Sequence, residues 1–170
     1  MHIPMEPISN PAEARPGKGV LVSGSSRVDI ERQLGEELTE LPSVSGASSH
    51  MGSLFTTDSE GMRVVFQILK KRGHFFVDNL TTNKTVTKKI AGEVGLKCLF
   101  RDVFIDNDLN RDSILQQLEK AEIIARKKGL AIAVGHPHPE TISALQDWIP
   151  KAKAGGITFV RISELLMKEK

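Results

Sequence analysis

The chain has 170 residues, of which 39% are hydrophobic and 26% are charged. This mixture can bury a core, so the composition excludes a globally disordered chain. The 23 Lys and Arg residues nearly balance the 21 Asp and Glu residues, for a formal net charge of +2. That balance gives no electrostatic basis for a nucleic-acid partner. The single cysteine excludes an internal disulfide, and no apolar run approaches the ~20 residues of a membrane span.

Residues 1–25 are rich in Pro, Gly and Ser, and we predict that they are mostly loop. A short apolar run at 20–22 interrupts this segment. The first seven residues, MHIPMEP, lack the basic and apolar regions of a signal peptide and are typical of the middle of a domain. The length predicts one domain over 1–170.

From Ser26 onward, predicted helices and strands alternate. Ser26 is expected to cap a helix that Pro42 ends, and Thr57 is expected to open the next helix through a capping box with Glu60. The predicted strands start near Val44, His74, Lys97, Leu130 and Ile157. Further helices are predicted over 86–94, 112–128, 140–154 and 162–168. This alternation predicts an α/β fold with a parallel sheet and outer helices.

Polar side chains follow several of the predicted strands. His50, Asp78, Asp102 and His136 each come after an apolar or small-residue strand, and His2 lies beside a possible first strand. Functional groups of parallel α/β folds gather at the carboxyl ends of strands. These residues therefore predict a hydrolytic site, with or without a metal ion. Taken singly, Asp78 and Asp102 are equally compatible with capping a loop.

The segment Gly135-His136-Pro137-His138 carries two imidazoles. We expect these two side chains, at i and i+2 of an extended segment, to point in opposite directions. We therefore expect only His136, which directly follows its strand, to face the site. The sequence contains no Gly-rich phosphate loop, zinc-protease helix motif, paired CxxC or GxSxG elbow.

Five segments resemble, in order and spacing, blocks of the divergent polysaccharide deacetylases. They are MHIPMEP at 1–7, SHMGS at 49–53 with FT at 55–56, FFVD at 75–78, RDVFIDN at 101–107 and GHPHPET at 135–141. These bacterial, mostly exported proteins are related to the metal-dependent polysaccharide deacetylases. The resemblance implies an incomplete parallel (β/α) barrel of the deacetylase type. It also implies a location in the cell envelope or periplasm, or outside the cell.

The resemblance implies a hydrolase that removes N- or O-acetyl groups from cell-envelope polysaccharide. In that family type, a metal-activated water attacks the acyl carbon and a histidine protonates the leaving amine. His136 matches the late histidine motif and would be the acid, while Asp78 and Asp102 would orient other groups. The cofactor would be a divalent metal, with zinc preferred. Its implied ligands are His2, His50 and Glu6.

The sequence also departs from the family pattern. Family members begin with a strand ending in an Asp-Asp pair, which supplies the catalytic base and one metal ligand, and the printed sequence starts after that block. The related deacetylases have His-x-x-x-His at the next block, whereas this chain has His2 and Glu6. Ser49 stands where the family often has Asn, and Asn79-Leu80 where it often has Ser-Arg. We therefore expect these 170 residues alone to lack deacetylase activity. The alternative function is a non-catalytic glycan-binding or envelope-associated domain.

Overall fold

The computed structural model describes residues 1–9 and 18–166. Residues 10–17 of the predicted loop, and residues 167–168 of the last predicted helix, lie outside the described residues. The chain divides into two compact units, Met1–Phe100 and Arg101–Lys170, which we call unit 1 and unit 2. Each unit contains its own parallel sheet, as the predicted α/β class requires.

Unit 1 is built on a four-stranded sheet whose spatial order follows the chain. Its strands are β1 (His2–Met5), β2 (Gly46–Met51), β3 (Phe75–Asp78) and β4 (Cys98–Phe100). All neighbouring strands are parallel. Parallel neighbours need crossover connections, and the connections contain helices α1 (Arg27–Glu40), α2 (Ser59–Lys71) and α3 (Thr87–Val94), with a 3₁₀ turn at Phe55–Thr57. All four carboxyl ends therefore lie at one edge of the sheet.

Helix caps in unit 1 confirm one prediction and correct another. Ser26 caps α1, since its hydroxyl accepts a hydrogen bond from the Asp29 amide at 3.2 Å. The predicted Thr57 cap of α2 is wrong by one residue. Asp58 is the cap, and its carboxylate accepts hydrogen bonds from the Glu60 and Gly61 amides, each at 3.0 Å. Asp58 thus satisfies two helix-start donors that have no partner within the helix.

The core of unit 1 lies between its sheet and helices. Helix α1 buries one face through Ile30, Leu34 and Leu38, which follow the helical spacing. The rings of Phe66 in α2 and Phe76 in β3 lie 5.1 Å apart and are both fully buried. Burying each such side chain contributes about 1.5–3 kcal/mol. This packing fixes the strand ends that carry the polar residues.

Unit 2 contains a two-stranded parallel sheet and three helices. Its elements are β5 (Val103–Phe104), α4 (Arg111–Lys128), β6 (Ala133–Val134), α5 (Pro139–Ala154) and α6 (Ile162–Leu165). Val103 pairs with Ala133 and Phe104 with Val134, so both strands end side by side. Helix α4 packs Ile114, Leu118 and Ala121 against Ala144 of α5 in the local core. No helix of the described residues is long and apolar enough to cross a membrane.

Strand boundaries differ most from the prediction in unit 2. The strand expected from Leu130 is confined to Ala133–Val134, and the segment expected from Ile157 forms no strand. The amide of Ile157 instead donates to the Ala152 carbonyl at the end of α5. Residues 103–104 form a strand that the sequence did not predict. Apolar runs show which residues can be buried, but not which ones find a ladder partner.

Candidate functional site

Asp106 lies two residues after β5 and has a side chain with no solvent exposure. Its Oδ2 accepts hydrogen bonds from the His136 amide and from the Thr141 hydroxyl, the latter at 3.0 Å. Its Oδ1 lies 3.2 Å from Nδ1 of His136. A buried carboxylate needs such partners, so Asp106 is held in one orientation facing the imidazole.

His136 follows β6 with one residue between, and its side chain is 48% exposed. One ring nitrogen is anchored at Asp106, and the ring meets the edge of Phe104 at a centroid distance of 5.4 Å. A carboxylate at Nδ1 favours the tautomer that carries the proton there. Nε2 is then the nitrogen that can exchange a proton with a bound molecule.

His138 stands beside His136, contrary to the expectation that the two imidazoles point apart. Their ring centroids are 5.6 Å apart. Each histidine precedes a proline, which favours polyproline-like backbone, and His138 has φ −72° and ψ 147°. Along an extended segment successive side chains alternate, so those at i and i+2 lie on the same side. The prediction failed because it applied the alternation of neighbouring residues to residues two apart.

Asp106, His136 and His138 together could hold a metal ion. One ligand atom from each lies within 4.8 Å of the others. Among the described residues, this is the one group of at least three His, Cys, Asp or Glu side chains close enough to share an ion. Two imidazoles and a carboxylate are a ligand set that suits zinc.

Asp102 does not join this group. Its Oδ1 accepts from Lys128 Nζ at 2.8 Å, and its Oδ2 accepts from the Ile132 amide at 3.0 Å. Asp102 directly precedes β5, so it lies at the opposite end of the sheet of unit 2 from His136. The prediction placed Asp102 after the strand now called β4 and missed β5. Its contacts tie α4 to the strand that leads to the site.

Asp78 is the last residue of β3 and is fully buried. Its carboxylate holds the turn that follows the strand. Its Oδ1 accepts from the Leu80 amide at 2.8 Å, and its Oδ2 accepts from the hydroxyls of Thr85 at 2.8 Å and Thr87 at 2.5 Å. Burial and the charge of Asp78 raise the pKa of the Cys98 thiol to about 12. Cys98 is therefore a poor nucleophile.

Unit 1 has strained backbone at the last residue of β2 and in the turn after β3. Met51 and Leu80 have φ values of 58° and 49°, in the left-handed region that bulky residues rarely adopt. The Thr81 hydroxyl donates to the Met51 carbonyl at 2.8 Å, and Asp78 holds the Leu80 amide. These bonds fix the rim of the sheet around residues 49–51 and 78–81.

The three predicted metal ligands all lie in unit 1. His2 pairs in register with Ser48, so His2 and His50 lie on the same face of the sheet. Nδ1 of His2 lies 2.8 Å from the Ser48 hydroxyl, and Oε2 of Glu6 accepts from the Ser23 amide at 2.8 Å. In the described ranges, His2, Glu6 and His50 form no group of three ligand atoms. Their role as ligands stays a prediction.

Asp106 is the site residue that the sequence analysis missed. It belongs to the RDVFIDN block and follows the apolar residues Val103-Phe104-Ile105. The same rule that selected Asp78, a carboxylate after an apolar strand, would have selected it. The short run was overlooked because it comes directly after the strand at 98–100.

The comparisons with known proteins agree with this fold. A family model described as divergent polysaccharide deacetylase matches residues 1–166 and so covers both units. The chain is 35% identical to uncharacterized protein YibQ of Escherichia coli K12 over 98% of its length, and 34% identical to an uncharacterized protein of Haemophilus influenzae over 86%. It spans about half of each relative, 51% in both cases.

The crystal structure of uncharacterized protein ATU2773 from Agrobacterium tumefaciens C58 is similar, with a TM-score of 0.92 and 29% identity. The similarity covers 96% of this chain and 66% of that one. The predicted fold class, an α/β fold of the deacetylase type with parallel strands, is thereby confirmed. Because the family model matches residues 1–166, the chain belongs to the divergent polysaccharide deacetylase family.

Proposed function

We propose that this protein is a hydrolase that removes acetyl groups from a polysaccharide, with His136 as the proton donor. The observation that carries the proposal is the pairing of the half-exposed His136 imidazole with the buried Asp106 carboxylate at 3.2 Å. A general acid needs an accessible ring nitrogen and a second group that orients the ring. Asp106 and His136 supply both.

The proposed step is proton transfer to the leaving group. Water adds to the acyl carbon, and the bond from that carbon to the sugar nitrogen or oxygen then breaks. His136 gives the proton on Nε2 to the leaving atom, which departs as the free sugar amine or hydroxyl. The added water loses both protons as acetate forms: one restores the His136 imidazolium and the other passes to solvent. Asp106 stabilises the imidazolium that exists before the transfer. Thr141 keeps the carboxylate in place through its 3.0 Å hydrogen bond.

A divalent metal ion is implied by the family resemblance, and when bound it would activate the attacking water. The predicted ligands His2, Glu6 and His50 do not form a group of three ligand atoms among the described residues. Glu6 is already engaged by the Ser23 amide. We therefore derive no step through a metal ion at these residues. The remaining part of the proposal, a polysaccharide of the cell envelope as substrate, follows from the resemblance.

The test is acetate release from N-acetylated oligosaccharides. It compares the 170-residue chain with a version extended upstream by an Asp-bearing strand, because the family places a base and a ligand there. In the extended version, His136→Ala should slow hydrolysis by about 10²–10⁴-fold, the usual contribution of a general acid. His74→Gln is the control, since His74 directly precedes β3 at the opposite end from Asp78. Equal rates with and without His136 would refute its role.

A non-catalytic glycan-binding domain is the second candidate. It is favoured by the incomplete grouping of His2, Glu6 and His50. Calorimetric titration with the same oligosaccharides separates the two functions. Binding without acetate release, in both the short and the extended version, would support the binding domain and contradict the hydrolase.

A further inference from the structure

The Asp106–His136–His138 group has spacing that suits a transition-metal ion. Asp106 Oδ1 and His136 Nδ1 lie 3.2 Å apart. Two ligand atoms at opposite ends of a tetrahedral edge are about 3.3 Å apart when each bond to zinc is about 2.0–2.1 Å long. These two atoms therefore need little movement to bind one ion. His138 completes the group: one ligand atom from each of the three residues lies within 4.8 Å of the other two.

The carboxylate is already oriented for such a role. Oδ2 of Asp106 takes the hydrogen bonds from the His136 amide and the Thr141 hydroxyl, which leaves Oδ1 for the ion. Hydrogen bonds to the ligand atoms that do not contact the metal commonly orient the ligands of metal sites in this way. The orientation thus arises from the fold of unit 2 and does not require the metal.

The charge of the site also favours a cation. Asp106 is a buried carboxylate, and among the described residues its ion-pair partner is His136, which is charged only when protonated. A buried carboxylate without a full positive partner is unfavourable. A divalent ion would supply the charge, and the half-exposed His136 leaves a route from solvent.

We propose that Asp106, His136 and His138 bind one divalent ion of the zinc class, which replaces the proton between Asp106 and His136. Mg²⁺ and Ca²⁺ prefer oxygen ligands, so the two imidazoles select against them. Three protein ligands leave a fourth position for water. A His136 ring bound through Nδ1 has no imidazolium proton to donate. The metal-loaded form therefore cannot use His136 as the proposed acid, and the two roles are alternative states of one side chain.

The test measures zinc binding by the 170-residue chain in competition with a chromophoric chelator, with cobalt as a spectroscopic substitute. We expect one zinc ion per chain and loss of affinity by more than tenfold in His138→Gln. The matched control is His74→Gln, which removes an imidazole that directly precedes β3, outside both groups of candidate ligands, and should leave the affinity unchanged. Thr141→Val keeps all three ligands and should weaken binding by roughly tenfold.

Imidazole ¹⁵N signals of the wild-type chain provide a second measurement that does not depend on how the variants fold. On addition of zinc, the signals of His136 and His138 should shift in step with site occupancy, and those of His74 should not. Absence of zinc binding, unchanged affinity in His138→Gln, or a shift confined to His2 and His50 would overturn the proposal. The result is independent of hydrolysis, so a chain that releases no acetate can still confirm this site.

Discussion

Unit 1 and unit 2 each present a buried carboxylate after a strand, but the two carboxylates have different partners. Asp78 in unit 1 is surrounded by an amide and two threonine hydroxyls. Asp106 in unit 2 faces an amide, one hydroxyl and a half-exposed imidazole. Donors that cannot change their charge saturate Asp78. Asp106 instead faces the His136 imidazole, a group that can gain or lose a proton or bind a metal.

The position of an acidic residue at a strand end therefore does not by itself indicate catalysis. Both carboxylates satisfy the rule for parallel α/β folds. The partner decides the role: a carboxylate enclosed by hydroxyls and amides stabilises a turn, and one that orients an accessible histidine can support chemistry. Asp78 should therefore matter most for stability, and Asp106 most for the site.

The largest effect on stability is expected from Asp78→Ala. The substitution leaves the Leu80 amide and the Thr85 and Thr87 hydroxyls without their buried acceptor. The free energy of unfolding should fall by about 3 kcal/mol, as for other losses of a buried charged partner. Urea denaturation measures the change. Asp102→Ala is the control, because the Asp102 carboxylate pairs with the exposed Lys128. A smaller loss of unfolding free energy in Asp78→Ala than in Asp102→Ala would contradict the proposed stabilising role.

Asp106→Asn should affect the site more than the stability of the fold. Asparagine keeps the shape and can still accept from Thr141, so the free energy of unfolding should fall by only about 1–2 kcal/mol. Orientation of the His136 ring should suffer more. Acetate release by the extended version should drop roughly 10- to 100-fold, as when a partner that orients a functional histidine is removed. If the variant lost stability but kept full activity, the role of Asp106 would be to stabilise the fold, as proposed for Asp78, and not to orient His136.

A smaller effect is expected at Asp58, the cap of α2. Burial raises the pKa of this carboxyl, but hydrogen bonds from Gly24, Gly61, Ser23 and Glu60 outweigh it and leave the pKa lowered. Asp58→Ala should cost about 1 kcal/mol at neutral pH. A lowered pKa stabilises the fold above the ordinary pKa and loses that effect as pH falls through the lowered value. Urea titrations at neutral and strongly acidic pH should therefore show a difference only at neutral pH.

Most of the fold of unit 1 could be predicted from the sequence. The helix after Ser26 and the strand 75–78 have clear periodicity or composition, and buried packing enforces the same boundaries. Unit 2 was harder. Strand β5 has two residues and β6 has two, too few for a periodic signal. Their existence depends on pairing with each other, a long-range contact that local propensity cannot show.

The candidate site was partly predictable for the same reason. His136 was identified from its place after an apolar strand and from the motif that contains it. Asp106 required knowledge of β5, whereas the approach of His138 to His136 could be predicted from their spacing, since side chains two residues apart in an extended segment lie on the same side. Sequence patterns located the elements, but the convergence of Asp106 and His136 depended on backbone geometry within unit 2.

The smallest predicted effect concerns Glu37 in α1, which has no part in the site. Burial, and next the charge of Glu40, raise its pKa from 4.5 to about 7. Neither of its carboxylate oxygens has a hydrogen-bond partner among the described residues. The folded chain then holds this proton more tightly than the unfolded chain. The contribution of Glu37 to stability is therefore fully present below pH 4.5 and is lost as pH rises through about 7.

Glu37→Gln removes this pH dependence because glutamine stays neutral. The variant should match the wild type near pH 4.5 and exceed its free energy of unfolding above pH 7. Since Glu37 is only half-buried, solvent screening should keep the gain below about 1 kcal/mol. Urea denaturation at both pH values measures it, with Glu36→Gln on the exposed face of the same helix as control. A gain of equal size at both pH values would point to packing or helix propensity, since only the charged form of Glu37 is unfavourable in the folded chain.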